Sequence, residues 1–592
     1  MSIFFKILRF FNKKEKERSL ILFILIFFTA ILDTLGIASI FPFISLLSDP
    51  TLIERNSTLN FFFLNFHYLN ISDYSVITKI FGFMILIIFI FSLFLRSISN
   101  YFQIRFVHMR EYSISKRILE YYLNQKYSWF IDQSSSNLSK NILSEVNEFI
   151  DKAFMPLLNI IAFGTVAILL IIILFYFDTK LTLLTLLIFC TSYALFYLSL
   201  KKKLEKLGAK RFAENYSKYK ILNEVFNGIK QVKMSNLETH FTNLFSKASL
   251  DYAKACAMSQ SITQLPRFII EGIAFGGFLL LIILNIDHKD FLTLLPIISL
   301  FAFAGYRMLP AFQQIYLAIS QIRYSSIIVD YMQSTFKSID EFIQISKNSR
   351  KKIDFKTSIK LIDVNFKYKD SKNLIINGLN LTIPSKSKIG IIGPTGGGKT
   401  TLVDLIIGLL EPDSGEIYID NVKLDNQTKY SWHKKIGYVA QDIFLTDNDI
   451  WQNVAFGIEK KKIDRKKVQE VCKIACLDEF INSNLDLKYD TIVGDRGIKL
   501  SGGQKQRIGI ARSLYLSPSI LVLDEGTSSL DLDTEANIIS NLIKMRNNIT
   551  VLMVAHRLNT LKQCDLIIEI KDGKILSSGR YKDIIKKKIK TK

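Results

Sequence analysis

Cysteine and histidine are scarce in this 592-residue chain, at 5 and 6 residues. The cysteines (Cys190, Cys256, Cys472, Cys476, Cys564) are scattered, and the one close pair, Cys472 and Cys476, has neither a second pair nor nearby histidines. That excludes a zinc site of the usual spacing, and all five read as reduced thiols. Acidic residues are short as well: 53 against 76 Lys and Arg, a net charge of +23. Such an excess would suit nucleic acid, but basic residues also gather on the cytoplasmic side of membrane proteins, so their placement decides.

What is abundant is apolar sequence. Hydrophobic residues make up 49% of the chain and the mean hydropathy is +0.23, high for a soluble protein. The apolar runs all fall before residue 320, at about 19–47, 77–98, 155–177, 181–200, 265–286 and 291–320, each near or above the ~20 residues of a membrane helix. Six crossings are therefore expected, and they exclude a soluble ATPase acting on nucleic acid. The basic stretch before the first run lacks a small-residue cleavage site, so it reads as an interfacial amphipathic helix and not a removable signal. Basic residues crowd the first 18 positions and 201–211, while 48–76 carries only Arg55. Both termini are thus expected in the cytoplasm. The polar segments 107–154 and 201–264 have little Gly or Pro punctuation and are expected to continue the membrane helices into the cytosol.

Three arginines interrupt or border apolar runs: Arg96, Arg267 and Arg307. At ~1.5 Å per residue all three fall at one depth, near the cytoplasmic headgroups. Arg307 is followed by more apolar sequence, so it reads as facing a cavity and not as a helix-end anchor. Planar guanidiniums there suit a multiply charged phosphate. Arg267 has Glu271 one turn along as a possible partner. Asp33, inside the first run, is either a counter-ion for one arginine or a polar packing residue. Leu59, Phe62, Phe63, Phe66 and Leu69 recur at helical spacing, an amphipathic segment for the membrane surface.

Beyond 347–352 the texture changes. The run KIGIIGPTGGGKTTLVDLIIGLL is a strand, a Gly-rich loop and a helix, and GPTGGGKT (393–400) has the spacing of a phosphate-binding P-loop. Gly393, Gly396 and Gly398 open the loop to phosphates, Lys399 is placed for the β- and γ-phosphates, Thr400 for magnesium, and Thr401 continues the site. LSGGQ follows at 500–504 and ILVLDEGTSSLD at 520–531. Four apolar strand residues deliver Asp524 and Glu525 to the C-terminal edge of a parallel sheet, where such sheets bind ligands. Asp524 is expected to support magnesium and Glu525 to polarise the attacking water. VLMVAHRL ends another buried strand at His556, within reach of a γ-phosphate.

These motifs together resemble the ATP-binding cassette exporters along the whole chain. The resemblance implies a type I exporter fold, an α-helical membrane domain of six helices fused to an α/β P-loop cassette. It divides the chain into a membrane domain at 1–330, a linker at 331–351 and a cassette at 352–592. It assigns adenine stacking to Tyr368, the Q-loop to Gln441, which also touches magnesium, an X-loop to TIVGDRG (491–497), and the signature to Ser501, Gly502, Gly503 and Gln504. Asp531 closes the ATP-binding set. Gly526 stands where alanine is usual. ATP with Mg²⁺ is implied, held between two cassettes, and since this chain's own motifs are intact a homodimer is the simpler partner. Short coupling helices are implied at 127–138 and 214–228. The segments PRFIIEGIAF, AGYRMLPAFQQI and TLVDLIIGLLEPDSGEIYID are similar to PglK-type flippases, which implies that a lipid-linked oligosaccharide moves from the cytoplasmic to the periplasmic leaflet of a bacterial inner membrane for protein glycosylation. An exporter of lipid A-like amphipaths would share this architecture. A peptide exporter is disfavoured because no peptidase region precedes the first run.

Overall fold

The computed structural model describes residues 13–39, 43, 44, 47, 74–285, 291–345, 351–369, 371–527, 529–544, 549–555 and 558–584. The amphipathic segment at 59–69 lies outside them. The chain divides into two compact units, Met1–Gln125 with Asp132–Ile345, and Lys126–Ile131 with Ser346–Lys592.

The first unit is built on long helices: α1 (Lys13–Ala38), α2 (Tyr74–Leu123), α3 (Met155–Phe177), α4 (Thr179–Asn227), α5 (Glu238–Asn285) and α6 (Phe291–Tyr324). Helices α2 and α4 have 50 and 49 residues. At 1.5 Å per residue each is ~75 Å long, more than twice the ~30 Å of a bilayer's hydrocarbon, so each leaves the membrane as a continuous helix. Among the described residues four helical stretches are long and apolar enough to cross a membrane: Lys13–Gly36, Thr78–Leu123, Ser135–Phe177 and Thr179–Asn227. The runs at 265–286 and 291–320 fall in α5 and α6, whose facing ends adjoin residues outside the description.

Apolar contacts bind these helices. Leu170 and Leu174 of α3 bury against Ala304 and Met308 of α6. Phe189 and Tyr193 of α4, Ile270 of α5 and Tyr316 of α6 form a second cluster, in which Phe189 stacks on Phe312 at 5.5 Å. A Cβ at Gly208 would collide with the backbone carbonyl of Tyr324, so α4 meets the end of α6 where only glycine fits.

Between α2 and α3 the chain makes two π-helical turns, Asn141–Glu145 and Ile150–Phe154. The first ends in a buried charge cluster. Glu145 accepts from Arg211 at 2.8 Å and from Asn215 at 2.9 Å, and Lys140 stands 3.8 Å away. Arg211 also reaches Glu148 at 3.4 Å, and Lys140 lies 3.9 Å over the Phe212 ring. Lys140, Glu145 and Arg211 are each no more than 1% exposed, so every charge there depends on its partner.

Of the two short coupling helices, the first has its counterpart in Tyr127–Ile131 and Ser135–Lys140. The second is corrected. Residues 214–227 are the end of α4, and the separate short helix follows at Ile229–Met234. Nothing in ENYSKYKILNEVFN breaks a helix, and Gly228 is the first residue that does.

The second unit carries two sheets. One is antiparallel, in the order β2 (Ile376–Pro384), β1 (Ser358–Phe366), β4 (Ser414–Ile419), β5 (Val422–Lys423). The other runs β10 (Lys574–Gly579), β9 (Leu566–Lys571), β3 (Lys388–Ile392), β8 (Thr550–Val554), β7 (Ile520–Asp524), β6 (Ile436–Val439). Strands β9, β3, β8, β7 and β6 are mutually parallel. Every residue of β7 and β8 is buried, as expected for central strands covered on both faces. The segment Lys126–Ile131 belongs to this unit through Lys126, which pairs with Glu411 at 2.5 Å.

Candidate functional site

The parallel register builds the site. Ile391 of β3 and Asp524 of β7 both pair with Val554 of β8, so the loops that follow all three strands open on one edge. The loop after β3 is the P-loop. Gly396 and Gly398 take left-handed φ of 78° and 95°, and Gly398 leads into the helix Lys399–Ile406. These turns point amide groups inward, which side chains at the two positions would resist. The Lys399 ammonium is folded onto the carbonyls of Gly393 and Pro394 at 3.1 and 2.9 Å. The Tyr368 hydroxyl lies 3.2 Å from Thr401 Oγ1, and its ring meets Phe366 edge-on at 5.1 Å. Thr400 sits beside them, exposed at the helix start.

The loop after β7 brings the carboxylates. Burial and then the charge of Glu525 push the Asp524 carboxyl above its ordinary range. Glu525 stands at φ 51°, an unusual place for a side-chain-bearing residue, and accepts from Gln441 Nε2 at 2.8 Å. A left-handed turn directly after the strand swings this carboxylate out of the sheet toward the Q-loop. Gly526 follows because a Cβ there would press into Val439 at 2.8 Å, which explains the missing alanine. The loop after β8 leads to His556, which lies outside the described residues; its neighbour Ala555 donates to the Ile391 carbonyl at 3.2 Å, on the same edge.

The signature opens the helix Gly502–Tyr515 with a capping box: Gln504 N donates to Ser501 Oγ at 3.3 Å while Ser501 N donates to Gln504 Oε1 at 2.8 Å. A Cβ on Gly502 or Gly503 would lie against Ser529. Gln506 fixes that neighbour by accepting from Ser529 N at 2.9 Å. Asp531 accepts from Thr534 N at 2.9 Å, capping the helix Leu532–Lys544.

The family model for the ABC transporter transmembrane region matches residues 19–286, and that described as ABC transporter matches 376–528. An ATP-binding/permease protein of Staphylococcus aureus whose name refers to multidrug export is 30% identical over 80% of this chain and 82% of its own length. The chain belongs to the ABC transporter family. The heterocyst differentiation ATP-binding protein HepA of a Nostoc species is 28% identical over 85% of this transporter and 82% of its own length. A bacterial Atm1-family ABC exporter solved with ATP bound shares the fold, with a TM-score of 0.78 over 97% of both chains at 22% identity. This ABC exporter therefore joins a helical membrane domain to a nucleotide-binding cassette in the type I exporter fold, and couples ATP hydrolysis to transport.

In the transporter's membrane unit two of the three arginines meet. Asp33 of α1, 5% exposed, takes Arg96 of α2 on Oδ2 at 3.4 Å and Arg307 of α6 on Oδ1 at 3.2 Å. Ser92 Oγ donates to Oδ1 at 3.3 Å. Arg267 is paired elsewhere, with Glu271 at 2.7 Å. Sequence reasoning missed Asp404, on the P-loop helix. Its carboxyl is pushed up to about 6, by burial first and then by the charge of Asp524. An acidic residue one turn after the P-loop threonines, on the inward face of an apolar helix, was the available signal.

The residues present fit Mg·ATP. The Lys399 ammonium lies on the carbonyls of Gly393 and Pro394, beside buried Asp524, whose charge raises the carboxyl of buried Asp404.

Proposed function

We propose that this exporter is an ATP-driven flippase that moves a polyprenyl-pyrophosphate-linked oligosaccharide from the cytoplasmic to the periplasmic leaflet of a bacterial inner membrane. Six membrane helices from each of two identical chains form the pathway, with the membrane domain at 1–330, a linker at 331–351 and the cassette at 352–592. The observation that carries this reading is the pair Arg96 and Arg307, two guanidiniums from different helices held at one buried carboxylate. Charge of this kind inside apolar helices is costly unless it has work to do, and paired planar donors match phosphate oxygens.

In the cassette Tyr368 stacks on adenine, Lys399 and the P-loop amides bind the phosphates, and the signature residues Ser501, Gly502, Gly503 and Gln504 close over the partner's nucleotide together with Asp531. Thr400, Asp524 and Gln441 would hold magnesium, which when bound offsets phosphate charge. Glu525 orients and polarises the attacking water, and the hydrogen bond from Gln441 keeps its carboxylate aimed until that water arrives. His556 contacts the γ-phosphate.

A second reading is export of another amphipathic molecule, lipid A-like ones included; the Staphylococcus relative, whose name refers to multidrug export, favours a cargo other than a lipid-linked oligosaccharide. One experiment separates the two. In proteoliposomes the wild-type protein should flip a fluorescent polyprenyl-pyrophosphate oligosaccharide with ATP, and Glu525→Gln should lower hydrolysis and flipping together by at least ~100-fold. Hydrolysis without flipping of this lipid, alongside transport of a neutral amphipath, would favour the second reading.

A further inference from the structure

The two carboxylate oxygens of Asp33 are divided between two helices, Oδ2 for Arg96 and Oδ1 for Arg307. The carboxylate is therefore a spacer as well as a counter-ion. It sets one negative charge against two positive ones, and neither arginine has a second carboxylate at ion-pair distance among the described residues. Their other near neighbours are ring faces, Phe163 at 5.9 Å from Arg96 and Phe89 at 6.0 Å from Arg307, which attract the guanidiniums without neutralising them. Both ion pairs are long for charge-assisted hydrogen bonds, which run at roughly 2.7–2.9 Å. Arg96 keeps 43% of its side chain exposed and Arg307 keeps 17%. A loose, unbalanced and accessible pair is easy for a stronger anion to open.

We propose that Asp33 is the positioning residue of an anion site: it fixes the spacing of Arg96 and Arg307, holds their excess charge to one, and gives way when an anionic headgroup enters. The inference rests on the reading that these arginines receive a lipid pyrophosphate, and goes beyond it by assigning the residue that opposes binding. A pyrophosphate carries more charge than a carboxylate and wins the guanidiniums. Asp33 then stands ready to reclaim them, which speeds departure on the far side. Binding and release are tuned against each other by one carboxylate.

The test uses the full chain in phosphatidylcholine nanodiscs, with ATPase stimulation titrated by undecaprenyl pyrophosphate and by undecaprenol as the uncharged control. Asp33→Asn should lower the half-saturating pyrophosphate concentration about tenfold and lower the maximal stimulated rate, leaving the undecaprenol response unmoved. Asp33→Glu should return half-saturation to within about threefold of wild type. An Asp33→Asn protein that elutes as folded and shows unchanged or weaker half-saturation overturns the proposal. Should that variant fail to fold, the pair Arg96→Gln and Arg96→Gln/Asp33→Asn answers the same question with one arginine fewer to satisfy: the second should bind more tightly than the first, and equality overturns the proposal. The underlying reading fails separately. If Arg96→Gln and Arg307→Gln both leave pyrophosphate half-saturation untouched, these arginines do not receive the headgroup, whatever Asp33 does.

Discussion

Two charged clusters in the membrane unit invite comparison. Around Glu145, two acids face two bases, all but Glu148 are sealed from water, and the closest pair is a 2.8 Å contact between Arg211 and Glu145. Around Asp33, one acid faces two bases, the contacts are longer, and one arginine is nearly half exposed. Burying ions is expensive, and the cost is recovered only where geometry is tight and every charge is matched. The first cluster meets that condition and behaves as framework, locking the π-helical turns to α4. The second does not meet it, and under the proposed function its surplus positive charge is what the headgroup would meet.

The sharpest way to break the comparison is to remove the acid from the balanced cluster. Glu145→Ala takes the acid from buried Lys140, leaves Arg211 only its longer contact with Glu148, and should cost roughly 3–5 kcal/mol, seen as a fall in the thermal midpoint of the detergent-solubilised protein. Replacing Lys140, Glu145 and Arg211 together by Met, Leu and Met should recover most of the loss. If the triple variant is no better than the single one, the charges are more than framework.

Asp404 in the cassette supplies an intermediate case, a buried acid whose charged neighbour is another acid. Its carboxyl is pushed up to about 6, so its contribution to folding is complete at low pH and is lost as pH rises through about 6 and the proton leaves. Asp404→Asn should therefore stabilise the nucleotide-free protein by on the order of 1–3 kcal/mol at pH 8, and by much less at pH 5. Equal gains at both values would remove ionisation as the cause. The smallest effect belongs to the unbalanced cluster: Arg96→Ala should change stability by less than about 1 kcal/mol, because its partner keeps Arg307 and its own side chain reaches water. A loss comparable with that of Glu145→Ala would make the two clusters alike.

The candidate ATP site could be proposed from sequence because its parts are contiguous: GPTGGGKT, LSGGQ and LVLDE each fix a local backbone shape, and the apolar strands before the first and last leave one edge of the sheet as their destination. Arg267 and Glu271 were legible as a pair for the same reason, four residues apart on one helix. The roles of Asp33 and Glu145 were not. Asp33 meets Arg96 and Arg307 across 63 and 274 positions, and helical periodicity says which residues share a face without saying which faces meet. Glu145 sits in polar sequence where a carboxylate draws no notice, and only packing against α4 buries it. The second coupling helix was misplaced by the opposite error, reading a break into 214–228 where local sequence sustains a helix to its last residue before Gly228.

Under the proposed function, the capping box at the signature bears on how that motif would meet a nucleotide. A serine hydroxyl has two lone pairs and one proton, and Ser501 spends a lone pair on the amide of Gln504. The proton is left over. With χ1 already fixed by the helix it caps, Ser501 can donate to a phosphate oxygen without choosing among rotamers at the moment of contact, so the ordering entropy of that side chain is settled when the cassette folds and not when the two cassettes close. Threonine at 501 would keep both the cap and the proton, whereas alanine would forfeit the two together, fraying the first turn of the helix as well as silencing the contact.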